Sequence, residues 1–504
     1  MPAESRAAKT IREIFDSGRP LTYIHSAEEE RVGKVLREAG GDLPIWTWSL
    51  TEGLLRDGAS SEQVSEPGTN SPRAVLDFIV AHESAGIFHL KDFHDPLRES
   101  AEIRRRLRDV YQNAAISGKF GKGKFVVIGS PVRFIPEELE RSMIVVELRP
   151  PDTVELVEFL REEDGTAGLT EDFLYQLAQA LQGLTLDEAR YALRRGLTAA
   201  GGASGESLEP QSLSAVLEEK RLLVNRGGVV EFISSGTMLG EIGGLEGLKG
   251  WLRERGRLFQ GRENLQAELV PKGVLIMGIP GCGKSLCVKA IASHFQLPLY
   301  RMDMIEIFSG RHGKPEGAFV AACRMMEDMA PAVLWFDEIE MGITSTESSG
   351  EQGRIFAFFL TWMQEKARGL FVAATANRID LLPAEMIRKG RFDEVFFVDL
   401  PQEDEQIEIF RIHLSRRGID PAGLDLARLT QFTAGWTGAE IEQCVVSAAT
   451  KALLADQPLT EQDLVGVAAK FVPLSKTMKE QISHIRGWAF ERAVRASPQR
   501  WPGR

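Results

Sequence analysis

Gly278-Ile-Pro-Gly-Cys-Gly-Lys-Ser285 follows the apolar run Gly273-Val-Leu-Ile-Met277 and precedes a helical pattern from Leu286 to His294. Strand, glycine-rich loop and helix in that order form the context in which such a loop holds phosphate. Glycines let backbone N–H groups curl around an anion, and the helix N-terminus adds partial positive charge. The residues read as the ligand cradle are Gly278, Pro280, Gly281, Cys282, Gly283, Lys284, Ser285 and Leu286. Within it Lys284 reaches the outer phosphates, and the Ser285 hydroxyl can hold Mg²⁺.

Downstream, Val333-Leu-Trp-Phe-Asp337-Glu338 is an apolar strand that ends in two carboxylates. Asp337 at the strand end is placed to hold Mg²⁺ through water, and Glu338 can polarise an attacking water. A third apolar strand, Phe371-Val-Ala-Ala-Thr-Ala-Asn377, ends in an amide that could orient the same water or serve as a turn cap.

The two halves of the chain repeat one another. Leu382-Pro-Ala-Glu-Met-Ile-Arg388 matches Ile135-Pro-Glu-Glu-Leu-Glu-Arg141, and Phe396-Phe-Val-Asp-Leu400 matches Ile144-Val-Val-Glu-Leu148. Gly435-Trp-Thr-Gly-Ala-Glu440 matches Gly183-Leu-Thr-Leu-Asp-Glu188, each with Thr-x-x-Glu before an apolar helix, which is a capping box. Gly86-Ile-Phe-His-Leu-Lys-Asp92 has the form of the strand ending in Asp337, with Asp92 set against Asp337. An internal duplication is therefore expected. The copies are chemically unequal. The first runs Leu21-Thr-Tyr-Ile-His-Ser-Ala-Glu-Glu-Glu-Arg31 where the second has its loop, and three glutamates would repel a phosphate.

These residues resemble a known family. Ile242-Gly-Gly-Leu-Glu246, the loop, Asp337-Glu338, Asn377 and Met386-Ile-Arg-Lys-Gly-Arg-Phe-Asp393 stand in the order and spacing of AAA ATPases in the narrow sense. The resemblance implies ATP and Mg²⁺ as cofactors, adenine contacts from Ile242 and Gly243, and a lid motif at Gly438 and Ala439. It implies arginine fingers at Arg388 and Arg391, acting on a neighbouring subunit's site, hence a homo-oligomeric ring, by family habit a hexamer. A closer resemblance spans almost the whole chain. The silent first copy, Thr361-Trp-Met-Gln-Glu365 and the run from Asn377 to Asp393 are similar to the AAA proteins called hypothetical chloroplast reading frame 46.

The fold expected is α/β: tandem P-loop-NTPase-like (AAA) parallel-sheet domains, each followed by a small helical lid, the first copy degenerate. The segments are 1–150 (degenerate α/β domain), 151–200 (its lid), 201–240 (linker and connecting helix), 241–400 (competent domain), 401–475 (its lid) and 476–504 (C-terminal helix and tail). Ile485-Arg-Gly-Trp-Ala-Phe-Glu-Arg492 has helical spacing and is expected to dock on the lid.

Composition bounds the rest. The 504 residues are 43% hydrophobic and 26% charged, as in soluble globular proteins. A net charge of −12 argues against nucleic acid as a partner. No apolar run reaches the ~18 residues of a membrane helix, and Met1-Pro-Ala-Glu-Ser-Arg6 lacks the layout of a signal peptide. Cys282, Cys287, Cys323 and Cys444 form no CxxC pair, so a reducing cytoplasm is expected. Cys282, at a helix N-terminus that favours thiolate, reads either as a small residue that fits or as a redox switch.

The client, a protein partner, is not named by any motif. AAA unfoldases thread substrate with an aromatic residue two positions before a glycine. Here, in Ile307-Phe-Ser-Gly-Arg-His-Gly-Lys-Pro-Glu316, Arg311 takes that place and Phe308 is displaced by three. Three readings follow in descending order: an ATPase ring that remodels a protein, a nucleotide-gated scaffold with slow hydrolysis, and a nucleic-acid motor.

Overall fold

The structure is a computed structural model that describes residues 5–57, 63–116, 123–163, 166, 168–199, 213–225, 228–234, 236–262, 265–311, 313–341, 351–388 and 390–498. Most of the glycine- and serine-rich linker at 197–212 and of the polar loop at 342–353 lies outside the described residues. The chain divides into two compact units, residues 1–220 and 221–504.

In the first unit, seven strands form one sheet: β1 (Leu21–His25), β2 (Ile45–Ser49), β3 (Gly53–Asp57), β4 (Gln63–Glu66), β5 (Gly86–Lys91), β6 (Lys124–Ser130) and β7 (Ile144–Glu147). Their order is β4-β3-β2-β5-β6-β1-β7, parallel from β2 to β7 and antiparallel through the β2-β3-β4 meander. Three helices, Thr153–Glu162, Glu171–Leu181 and Leu186–Ala199, follow as the lid of this copy.

The second unit repeats the plan with β8 (Val230–Ile233), β9 (Gly273–Gly278), β10 (Leu299–Met302), β11 (Ala332–Phe336), β12 (Leu370–Ala376), β13 (Glu394–Val398) and β14 (Val494–Arg495). The order is β14-β13-β9-β12-β11-β10-β8. The five-strand parallel core β10-β11-β12-β9-β13 has the same succession as β2-β5-β6-β1-β7, which a duplication requires. β9, β11 and β12 are buried at every position, as parallel strands covered on both faces must be. Antiparallel β8, at the edge, alternates buried and half-buried residues.

Register corrects one match read from the sequence. Leu21 pairs with Val126 as Gly273 pairs with Val372. Leu90 then lies across from Ile128 as Phe336 does from Ala374. Lys91, not Asp92, therefore occupies the Asp337 position, and Asp92 occupies that of Glu338. Backbone conformation agrees, since Asp92 (φ 50°) and Glu338 (φ 46°) share the left-handed region. The last core strand slips by two from its sequence match: Ile144 faces Thr22 as Glu394 faces Val274. An even slip leaves each side chain on its original face.

The lid of the second unit gathers Phe410, Leu414, Trp436, Ile441, Val445 and Leu464 into its own core. The C-terminal helix Lys479–Arg492 does not sit where the sequence reading placed it. Its Ile482 packs on Ile279 and Leu400 of the α/β domain. Arg486 and Arg495 both bond Asp399, and β14 adds to β13 at the sheet edge. No helix among the described residues is long and apolar enough to cross a membrane.

Candidate nucleotide site

β9 lies between β12 and β13, and the loop leaving it opens at the carboxyl edge of the sheet, where ligands of open α/β folds bind. Gly278 turns the chain at φ 148°, and a Cβ there would lie 2.0 Å from the Val398 carbonyl oxygen. Only glycine lets β9 leave the sheet this close to β13. The helix Lys284–Phe295 begins after Gly283 with no capping side chain, so its first N–H groups and its dipole face the cleft.

The cleft holds about 470 Å³ between the α/β domain and the lid. It is lined by Ile242, Gly243, Pro280, Gly281, Cys282, Gly283, Lys284, Ser285, Leu286, Asp337, Glu338, Asn377, Gly438 and Ala439, so the structure gathers into one cavity nearly every residue singled out in the sequence. Gly278 stands behind the loop, and Arg388 and Arg391 lie outside the cavity. Arg388 is exposed and makes no ion pair with a described residue. Arg391 is half-buried with one guanidinium nitrogen unpartnered among the described residues.

Lys284 is buried, and its ammonium donates to the carbonyls of Gly278 (3.0 Å) and Ile279 (2.9 Å). Burial pushes its pKa down to about 8, opposed by Cys282, Glu340, Glu338 and Asp337. Facing it, the Thr375 hydroxyl donates to Asp337 Oδ1 at 2.7 Å and accepts the N–H of Glu338 at 3.2 Å. Asn377 Nδ2 donates to Glu338 Oε1 at 2.7 Å. Glu340 is 2% exposed and accepts the N–H groups of Asn377 (2.8 Å) and Arg378 (3.0 Å), and burial raises its pKa.

The lid closes the other wall. The Ala439 N–H donates to the Gly281 carbonyl, and Thr437 and Glu440 complete the expected capping box. From the lid's first helix, Glu403–Ser415, Glu408 accepts the Gly244 N–H and Glu405 that of Leu245. These bonds hold Gly243 against Ile409, and a Cβ on Gly243 would come within 2.5 Å of the Ile409 side chain. Arg416 bridges to Glu241 across the mouth. Sequence reasoning missed Thr375, Glu340, Ile409, His413 and Arg416. Of these only Thr375 and Glu340 stood inside quoted strands or beside them.

The residues fit ATP with Mg²⁺. N–H groups and an ammonium face the loop, and one carboxylate and one hydroxyl, Asp337 and Ser285, remain for a metal. Among the described residues no three His, Cys, Asp or Glu side chains form a metal cage. Magnesium bound mainly through phosphates and water needs none. Of the two readings of Cys282, burial opposes the thiolate one, pushing the thiol up to about 12. Phe308 is half-buried, and Arg311 is exposed and 3.4 Å from Glu306.

The first unit builds the same corner differently. Three residues, 26–28, join β1 to the helix Glu29–Gly40, where five, 279–283, join β9 to its helix. Glu28 does not point toward a ligand. It pairs with buried Arg31 (2.9 Å) and accepts the N–H of Leu186 at the start of a lid helix (2.7 Å). Arg31 also bonds Glu155 (2.8 Å) and the Arg149 carbonyl (2.6 Å). Lys91, at the position of Asp337, pairs with Glu29 at 3.1 Å.

Residues 7–148 match the family described as SpoVK-like AAA ATPase, N-terminal domain, and residues 154–227 match its second domain. Residues 274–400 match the ATPase family associated with various cellular activities (AAA). The chain is 32% identical over 490 residues to the uncharacterized AAA domain-containing protein ycf46 of Pyropia yezoensis, covering 95% of this chain and 96% of that one. With the same-named protein of Guillardia theta it shares 32% over 498 residues, 97% and 96% of the two chains. Over 193 residues, 36% of this chain and 23% of the other, it is 33% identical to the ribosome biogenesis ATPase RIX7 of Saccharomyces cerevisiae.

Proposed function

The chain belongs to the ycf46 type of AAA ATPases, and from that premise we propose that it assembles into a ring in which Mg²⁺-dependent ATP hydrolysis remodels a protein partner. The observation that carries this reading is the opposition of Lys284 and the loop N–H groups to Asp337, Glu338 and Asn377 across a single cleft. In this reading Lys284 leaves the carbonyls of Gly278 and Ile279 for the outer phosphates. Ser285 and Asp337 hold magnesium, whose chemistry is to neutralise charge on the phosphates. Glu338 orients water and takes up its proton, and Asn377 keeps that carboxylate in place. Arg388 and Arg391 act on the neighbouring subunit's ligand. Their position outside their own cleft supports this role. The unpaired cysteines support a reducing compartment such as the cytoplasm.

The test is the rate of ATP turnover per subunit against protein concentration. It should rise and saturate as subunits supply arginines to one another, and vanish in Lys284→Ala or when magnesium is chelated. A flat rate from a proven monomer overturns the ring, and full turnover by Lys284→Ala overturns the site.

One observation favours a second reading, a nucleotide-gated scaffold. Arg311, at the position of a threading aromatic, is exposed beside Glu306. An arginine there grips acidic groups, whereas an aromatic packs on any passing chain. Turnover of a few ATP per hour with no stimulation by a partner would favour the scaffold. Partner unfolding that depends on Arg311 or Phe308 would favour the remodeller.

A further inference from the structure

Glu340 is almost fully buried, yet it carries a carboxylate behind the loop that bears Asn377. One oxygen accepts both the Asn377 and Arg378 N–H groups, and the other has no partner among the described residues. A buried carboxylate is costly unless something requires it. Backbone N–H groups of a loop can be satisfied by water or by a hydroxyl, so folding alone does not demand a charge here.

The first unit supplies the control. In the common register His94 stands at the position of Glu340, Pro131 at that of Asn377 and Val132 at that of Arg378. Proline has no N–H to donate. The Val132 N–H is taken by Ser130 Oγ at 3.1 Å, and the same hydroxyl lies 2.7 Å from His94 Nδ1. The loop after β6 is thus built without a carboxylate, in the copy that also lacks the lysine, the catalytic carboxylate pair and the amide. The device of one oxygen holding two successive N–H groups occurs where the Asn377 side chain must reach Glu338.

We propose that Glu340 is a positioning residue for ATP hydrolysis: it fixes the backbone of residues 377 and 378, and through it the Asn377 amide on Glu338. This rests on the ATPase reading above. Glu340 lines no part of the cleft, so it acts through the loop that bears Asn377.

The experiment compares full-length wild type, Glu340→Gln, Glu340→Ala, Glu340→Leu, Asn377→Ala and the double variant Glu340→Ala/Asn377→Ala. Gln keeps an acceptor oxygen, whereas Ala and Leu do not. Expected are a kcat for Glu340→Ala and Glu340→Leu lowered about 10- to 100-fold, equilibrium binding of a fluorescent ATP analogue within threefold of wild type, and Glu340→Gln within about threefold in kcat. In the Asn377→Ala background the Glu340→Ala change should lower kcat no further. Amide exchange of the peptide spanning 376–379, measured without nucleotide, should accelerate in Glu340→Ala and not in Glu340→Gln.

Wild-type kcat in both Glu340→Ala and Glu340→Leu overturns the proposal, as does a full additive loss in the double variant. Loss of the folded state in both makes Glu340 a fold residue and equally overturns it. If wild type itself hydrolyses no ATP, the ATPase reading fails, and the exchange measurement then decides by itself whether Glu340 holds the loop.

Discussion

Two units of one chain share a strand order and differ in what fills the corner after the first core strand. In the second unit that corner is a cleft of about 470 Å³ with an ammonium on one wall and carboxylates on the other. In the first it is crossed by a latch, Glu28, Arg31 and Glu155 joining the loop to two lid helices, and a smaller hollow of about 260 Å³ remains beside Glu29 and Lys91. The closed latch makes bonds of the kind a nucleotide would make, a negative group at a lid helix N-terminus and a cation beside the loop. The core strands tolerate either solution, because the difference is confined to residues beyond the carboxyl ends of the strands. Binding and catalytic chemistry can therefore be lost from such a unit while its sheet stays intact.

The largest test of this contrast carries the first unit's residue into the second. Asp337→Lys places an ammonium where Lys91 stands in the silent copy. It removes the carboxylate proposed to hold magnesium and sets a second cation near Lys284. ATP turnover should fall at least about 10³-fold, the scale on which one charge acts in phosphoryl transfer. Turnover within tenfold of wild type would mean that Asp337 is not the metal residue and that Lys91 is not what silences the first copy.

Breaking the latch is the next largest. Arg31→Ala leaves Glu28 and Glu155, with side chains 9% and 14% exposed, without their cation. Removing one partner of a buried pair costs about 3–5 kcal/mol. Calorimetry should show the transition of residues 1–220 lowered by roughly 6–20 °C. ATP with magnesium should raise the transition of the second unit, in wild type and variant alike, and leave that of the first unmoved. An ATP-dependent rise in the first unit's transition would show that its corner still takes nucleotide.

A smaller effect separates the two cations. Lys284 titrates near 8 when no phosphate is bound, because burial disfavours its ammonium. Phosphates favour the charged form and raise that value. Below pH 8 the charge is present in both states and affinity is level. Above it, binding must take up a proton, so ATP affinity falls up to about tenfold per pH unit. The first unit relies instead on Arg31, and arginine stays charged across the working range of proteins. The latch should therefore add no pH dependence of its own: the drop in the first unit's transition on Arg31→Ala should be the same at pH 8 and at pH 9.5, an interval in which ATP affinity falls. An affinity unchanged between pH 8 and 9.5 would place Lys284 away from the phosphates.

The legible residues are those that must be contiguous. A phosphate cradle needs successive N–H groups and a helix start, so residues 278–285 declare themselves, and Asp337, Glu338 and Asn377 follow because buried parallel strands read as unbroken apolar runs. The latch could not be read, since Arg31 meets Glu155 across 124 positions. Lys91 was misplaced by one because Lys91-Asp92 offers a carboxylate at either register and only the pairing of β5 with β6 decides between them. Strand β14 is two residues long, too short to show a period. The seat of the C-terminal helix depends on Arg486 and Arg495 meeting Asp399, which no local pattern announces.

Cys282 gives the smallest expected effect. As a sequence feature it admits a redox switch, because a helix N-terminus stabilises thiolate. In the folded site the opposing factor is larger: burial against Pro280 and the lid raises the thiol to about 12, and Lys284 only partly offsets it. At pH 8 the thiol is then protonated. Alkylation by iodoacetamide should be much slower than for an exposed cysteine, and peroxide at concentrations that oxidise ordinary thiols should leave turnover intact. Cys282→Ala removes only a sulfur that fills space beside the loop, so KM for ATP should change less than about threefold. The first unit has Glu28 where its shorter loop meets the helix, and that side chain is committed to Arg31 and Leu186. Cys282, by contrast, makes a weak sulfur contact to the Pro280 carbonyl at 3.9 Å and enters no ion pair among the described residues, so little holds it beyond packing. Rapid alkylation that ATP blocks, together with a large change in KM, would restore the redox reading.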